Sequence, residues 1–247
     1  MSTELSTSIA FLKNRVDKTL STQEEIAPSW LWPVRTVAEW EADSLQLDQS
    51  QPGTLARRAI SAEAALEGAR GALDTRLREL HRQCLIAVGV MRVRAARDAS
   101  LVAVVDELSA RGQARREIEE EASLLLAAWE EEFDGPAFTP GAGITFAGFE
   151  ALIEGAPAAP APPEPAVSSL RQLRRTMDGK GTIFRREVGR VNALLQRVEK
   201  DCVDWYAEVT AVYAVGTEIG NLVRANVPTS SDYGSGDHGG GGNPPVG

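Results

Sequence analysis

The sequence predicts an all-α protein: an elongated antiparallel bundle of three to four helices, coiled-coil-like, with a disordered C-terminal tail. Three observations predict it. From Leu170 to Val212 apolar residues recur at intervals of three and four, the spacing of a single helix face. Alanine, leucine, arginine and glutamate are abundant while aromatics make up only 6% of the chain, a mixture that favours long helices over sandwiches or barrels. Hydrophobic residues amount to 43%, enough to build a core.

The organising helix opens on a capping-box pattern, Ser169-Leu170-Arg171-Gln172. Its seam runs through Leu170, Leu173, Met177, Gly181, Phe184, Val188 and Val191, then Leu194, Val198, Cys202, Trp205, Val209 and Val212. At 1.5 Å per residue it would reach roughly 64 Å. One apolar stripe of that length cannot be hidden alone, so other long helices are expected beside it.

Taken in order, Leu5, Ile9, Leu12, Val16 and Leu20 have helical spacing, which predicts a first helix over residues 4–25 closed by Pro28. Three tryptophans follow closely. Trp30, Trp32 and Trp40 are the candidate partner-binding residues, because tryptophan is favoured at binding hot spots. The competing and favoured reading is a plug over the end of the bundle. Pro28 and Pro33 would stiffen such a crossover, with Val34, Val37 and Trp40 facing inward.

Ser50-Gln51-Pro52-Gly53-Thr54 is a helix start signal, and a second long helix is predicted over 54–97 with a seam of Leu66, Leu73, Leu77, Leu80, Cys84, Ala87 and Met91. Continuing that phase would bury Arg94 and Asp98, so a turn is expected near Asp98. One continuous helix over 54–133 is the alternative. A third helix over 99–133 would bury Leu101, Val105, Leu108, Ile118, Ala122, Leu125 and Trp129, with Gly112 interrupting it. The second helix carries nine arginines against four carboxylates, and the third, counted with the flanking Asp98 and Asp134, eleven carboxylates against three arginines. Opposite charge favours their lying side by side, although exposed ion pairs contribute only about 0 to 1 kcal/mol each.

Gly135-Pro136 closes the acidic helix, and Thr145 reads as a new N-cap with Ile144 and Phe149 in hydrophobic-staple spacing. That short helix ends at Glu154 and Gly155. Residues 156–165 are a proline-alanine linker, read as a spacer. After the organising helix, Gly216-Thr217 is a stop and a fresh cap for a short helix ending before Pro228. Residues 229–247 have no apolar periodicity and read as disordered. The expected organisation is therefore an N-terminal helical region over 1–155, the linker at 156–165, the long helix and its short cap over 166–228, and the tail.

Chemistry leaves little trace. Only two histidines are present, His81 on a helix and His238 in the tail, and no phosphate loop, His-Glu-x-x-His or paired-cysteine pattern occurs. His81 falls beside the seam and reads as a solvated surface residue, and Glu117 to Glu121 as a solvated acidic face. Gly179-Lys180-Gly181-Thr182 lacks the first glycine of a Walker loop and has no preceding strand. No catalytic residue, cofactor or metal is assigned. Cys84 and Cys202 lie on seams, as reduced core thiols. No signal peptide or membrane span is read, and a cytoplasmic location is expected. The net charge of −9 argues against nucleic acid and anionic membranes. A helix-turn-helix near Gly112 is the rival nucleic-acid reading, weakened by Glu117, Glu119, Glu120 and Glu121 where phosphates would lie. An enzyme with an unrecognised site is the second rival. The expectation is a non-enzymatic structural or interaction protein, with a protein partner or self-association.

Overall fold

A computed structural model describes residues 2–27, 29–108, 115–141, 143–154 and 169–227. Pro28, Gly112, Gly155, the linker at 156–165 and the tail at 229–247 lie outside the described residues. Among the described residues the chain is all-helical, with an isolated Gly141–Ile144 bridge and no strand. The helices are α1 (Ser2–Ile26), α2 (Val37–Gln46), α3 (Leu55–Ala95), α4 (Ala99–Leu108), α5 (Arg115–Glu132), α6 (Phe146–Ile153), α7 (Leu170–Val212) and α8 (Glu218–Asn226).

Eight helices stand where a bundle of three or four was expected: α2 is added to the segments read in the sequence, and the helix expected over 99–133 is divided into α4 and α5. The short helices start at local caps. Thr36, Thr145 and Thr217 each accept a hydrogen bond from the backbone of the first helical turn that follows, so each starts a short helix of its own. Asp98 does the same for α4, accepting from the Ser100 N–H at 3.0 Å. The turn expected near Asp98 is present. Thr54, rather than Ser50, caps α3 by accepting from the Arg57 N–H at 3.2 Å.

The described residues fall into two compact units, one drawn from 1–63 and 184–247, the other from 64–183. The grouping follows the two cores.

In the first unit, Ile9, Leu12, Val16 and Leu20 of α1 share a core with Val191, Leu194, Val198, Cys202, Trp205 and Val209 of α7. The two helices run in the same direction, because Thr19 meets Cys202, Gln23 meets Trp205 and Ser29 meets Tyr213. The expected α7 seam is corrected at two places. Val188 is half-buried and Glu187 takes the buried position between Phe184 and Val191. The carboxylate is tolerated there because Arg58 (2.6 Å), Arg186 (3.2 Å) and Arg190 (3.2 Å) surround it. Val212, on the last turn, is 58% exposed. Arg15 is buried too, and its Nε and Nη1 find no acceptor among the described residues.

In the second unit, Leu73, Leu77, Leu80, Cys84, Ala87 and Met91 of α3 pack with Ile118, Ala122, Leu125 and Trp129 of α5. Ile144 and Phe149 are buried around α6, as the staple spacing predicts. Asp134 and Gly135 take positive φ, where the chain turns sharply out of α5 into a short 3-10 turn at Gly135–Ala137. His81 Nδ1 lies 3.8 Å from Glu121 and Arg94 lies 2.7 Å from Asp134, so α3 and α5 run parallel. His81 is therefore half-buried and not solvated, and Glu121 is buried. Glu121 falls on the apolar face of α5, one position before Ala122, which the simple charge pattern of residues 117–121 concealed.

Two consequences are measurable. Leu194→Ala should cost about 2 to 5 kcal/mol in chemical denaturation, because it empties a buried leucine site, while Val212→Ala should stay within about 0.5 kcal/mol. Equal effects would contradict the packing. Burial opposes the charge on Glu187, but Arg58, Arg190 and Arg186 outweigh it and hold its pKa below the usual glutamate value. That contribution is complete above about pH 4.3 and is lost as pH falls through the lower folded value. Glu187→Gln should therefore be less stable than wild type near neutrality, and the gap should shrink on acidification. A gap that widens with acid would refute the assignment.

Candidate functional site: the tryptophan segment

Between α1 and α2 the chain doubles back along α7. Ile26 accepts backbone hydrogen bonds from Ser29 (2.8 Å) and Trp30 (3.0 Å), which turns the chain. The returning segment is then fixed by polar contacts to α7: Trp32 Nε1 donates to Glu208 at 2.9 Å and Arg35 pairs with Asp201 at 2.8 Å. Thr36 and Glu39 form a reciprocal capping box that starts α2. The helix α2 was missed by apolar periodicity, yet the Thr36-Val37-Ala38-Glu39 pattern signals it.

The structure brings Trp30, Trp32 and Trp40 together, and adds Trp205 of α7. Ring centroids lie 5.4 Å apart for Trp32 and Trp40, 6.2 Å for Trp40 and Trp205, and 6.4 Å for Trp30 and Trp205. Tilted and edge-on contacts of this kind add about 0.5 to 1.5 kcal/mol each beyond area burial. Trp32 and Trp40 are buried, and Trp30 is half-buried. Gln23 completes the arrangement from α1, accepting from Trp205 Nε1 at 2.7 Å and donating to the Trp30 carbonyl at 2.9 Å.

Beside the rings is an ion network absent from the sequence-based expectation. Asp43 of α2 meets Arg35 at 2.9 Å and Arg197 at 2.5 Å, and Arg35 also reaches Asp201. Burial weakens the hold of Arg35 on its proton, but hydrogen bonds and attraction from Asp43 and then Asp201 outweigh it, so its pKa is raised. Four charges on three elements lock α2 and the segment onto α7. Such pairs are widely separated in sequence, and only proximity reveals them.

Two apolar side chains of the segment face out. Leu31 is 63% exposed and Val34 is 61% exposed, so Val34 does not take the inward position expected of it. The chain bends at Pro33 and Val34, which breaks the alternation that would have set Val34 on the side of Trp32. The space enclosed by Leu20, Gln23, Trp32, Arg35, Trp40 and Trp205 is about 10 Å³, too small for more than one water.

Elsewhere the second unit has a cleft of about 330 Å³ at the start of α7, lined by Leu80, Glu119, Ile153, Leu170, Arg171 and Arg174 among others. Within it Arg171 pairs with Glu154 at 3.2 Å, and Arg174 with Glu119. Among the described residues no group of three or more histidine, cysteine, aspartate or glutamate side chains is placed to hold a metal ion. Cys84 and Cys202 are free and buried. Burial and then the charge of Glu121 push the Cys84 thiol up to about 12, and burial pushes Cys202 up to about 11. Neither is a ready nucleophile. No family model, curated protein or solved structure matches the chain.

Trp32→Ala should lower stability by about 3 to 5 kcal/mol, since it removes a buried ring. Paired denaturation curves of wild type and variant check this. A loss under about 1 kcal/mol would mean that the ring is not held as described.

Proposed function

We propose that the chain is a non-enzymatic interaction protein, which presents helix faces and the tryptophan segment to a protein partner or to a second copy of itself. The observation that carries this reading is the pair Leu31 and Val34, held open to solvent on a segment whose remaining contacts are fixed. Isolated exposed apolar residues are ordinary on any protein. Here they share a pinned segment, and Val212, one turn beyond Glu208 on α7, is exposed as well. Rigid apolar groups of this kind bind at low ordering cost. Cytoplasmic residence forms part of the proposal, supported by two free thiols, the state that a reducing compartment maintains. Among the described residues no helix is long and apolar enough to cross a membrane.

Quantitative cross-linking and affinity capture from lysate of the source organism test the reading, with wild type compared against Leu31→Glu/Val34→Glu. Both sites are exposed, so the melting temperature should hold within about a degree while specific protein capture falls at least tenfold. Unchanged capture would overturn the role of the segment. Micromolar or tighter binding of duplex DNA at physiological salt would replace the proposal with the nucleic-acid reading.

A further inference from the structure

Arg15 of α1 lacks what its burial demands. It is 3% exposed, and its Nε and Nη1 meet no acceptor among the described residues. A guanidinium taken out of water without a counter-charge is costly, and buried cations are ordinarily paired. The carboxylates close to it are held by other cations. Asp17, two residues along α1, pairs with Lys13, and Asp201, beside Cys202 of α7, pairs with Arg35. Along α1, Arg15 stands at the rim of the buried face: Asn14 and Lys18 beside it are exposed, and Phe11, one turn before it, is half-buried.

The helix α8 brings the chain back to this rim. Tyr213 at the end of α7 donates to the Ser29 carbonyl just past α1 at 3.2 Å, so the two helices finish at one level. There α8 starts, with Thr217 donating to the Ala214 carbonyl at 2.8 Å. From that level α8 packs against α1, and Val223 and Val227 share a core with Val16, Leu20 and Ile26. It therefore runs back toward the start of α1. Thr217 to Val227 spans about 15 Å and Ile26 to Arg15 about 16 Å along a helix, which carries Val227 to the level of Arg15. Residues 228–247 continue from that point, and Asp232 and Asp237 are their acidic side chains.

We propose that the Asp232 carboxylate seats on the Arg15 guanidinium, so that the C-terminal segment of this chain docks on the flank of α1. Charge selects the occupant, since a carboxylate supplies the acceptors that Nε and Nη1 lack and binds a guanidinium in a two-pronged geometry. Reach selects the residue. Five residues of extended chain from Val227 to Asp232 cover up to about 17 Å, whereas Asp237 closes a longer loop at greater entropic cost. A segment without apolar periodicity has no core of its own to fold around, and one charged anchor requires none. Being in the same chain, the carboxylate is presented at an effective concentration on the order of millimolar, so a modest pair suffices. The inference is independent of the interaction reading, which concerns Leu31 and Val34.

Paramagnetic relaxation in the full chain tests the docking. A nitroxide is attached through Ser235→Cys, while Cys84 and Cys202 are buried and stay unlabelled. The amide signals of Phe11 to Lys18 should lose about half of their intensity or more, as expected when an intramolecular anchor is mostly engaged. Asp232→Asn in the same chain should restore them, and Asp237→Asn should not. Arg15→Met should restore them too, without lowering the melting temperature, because it removes a buried cation that had no acceptor in the core. Full-intensity α1 signals in the labelled wild type would overturn the docking. So would broadening that survives Asp232→Asn or Arg15→Met, or that Asp237→Asn abolishes. Broadening that appears only between isotope-labelled and nitroxide-labelled copies in a mixed sample would give the site to a second chain and overturn docking within one. Asp232 lies outside the helices, so its variant leaves the fold in place and the readout stands.

Discussion

Along α7, from Val191 to Val209, one side of the helix is apolar at every third or fourth residue, and exclusion of that side from water organises the whole first unit. A single helix covers only part of such a stripe. The helix α1 takes the larger share, with α2, the first turn of α3, α8 and the tryptophan segment filling the remainder. The order of the cover is set by polar fasteners that cost nothing in apolar area. Gln23, Glu208 and Asp201 each hold a group whose neighbours are buried rings or the segment's backbone. Hydrophobic burial makes the association favourable, and these bonds make its register unique.

Much of this was legible in the sequence. Helical periodicity located α1, α3 and α7 and most of their buried residues, because the pattern of one residue in three or four survives whatever neighbour is present. Caps were legible as well: Thr145 and Thr217 were read correctly, and Thr36 could have been. What failed were positions where a charge occupies the inner face. Glu187 and Asp43 are buried because arginines from distant positions stand opposite them, and Glu121 is buried 3.8 Å from His81 of another helix. A linear reading prices each as an isolated charge and sends it to the surface.

Arg197, whose side chain is 58% exposed, closes on Asp43 across 154 positions of chain. With Arg35 it shares a carboxylate that has only 10% of its side chain exposed. Removing Asp43 leaves Arg35 with Asp201 and the exposed Arg197 with water, whereas removing Arg35 takes a cation from both Asp43 and Asp201. Arg35, the half-buried member that both carboxylates share, is the centre of the network.

Folding itself gives Leu31 and Val34 no work. Their side chains are exposed, so their contribution to stability is of the order of 0.5 kcal/mol or less. A polar residue at either position would fold equally well and be less prone to association. The segment that carries them is nonetheless fixed by a capping box, an indole hydrogen bond and an ion pair within eleven residues of chain, Trp30 to Trp40. A flexible loop would lose ordering entropy whenever it bound anything. A segment already ordered by its own tryptophans has met that cost in folding, and keeps for a partner most of what the two exposed side chains can contribute.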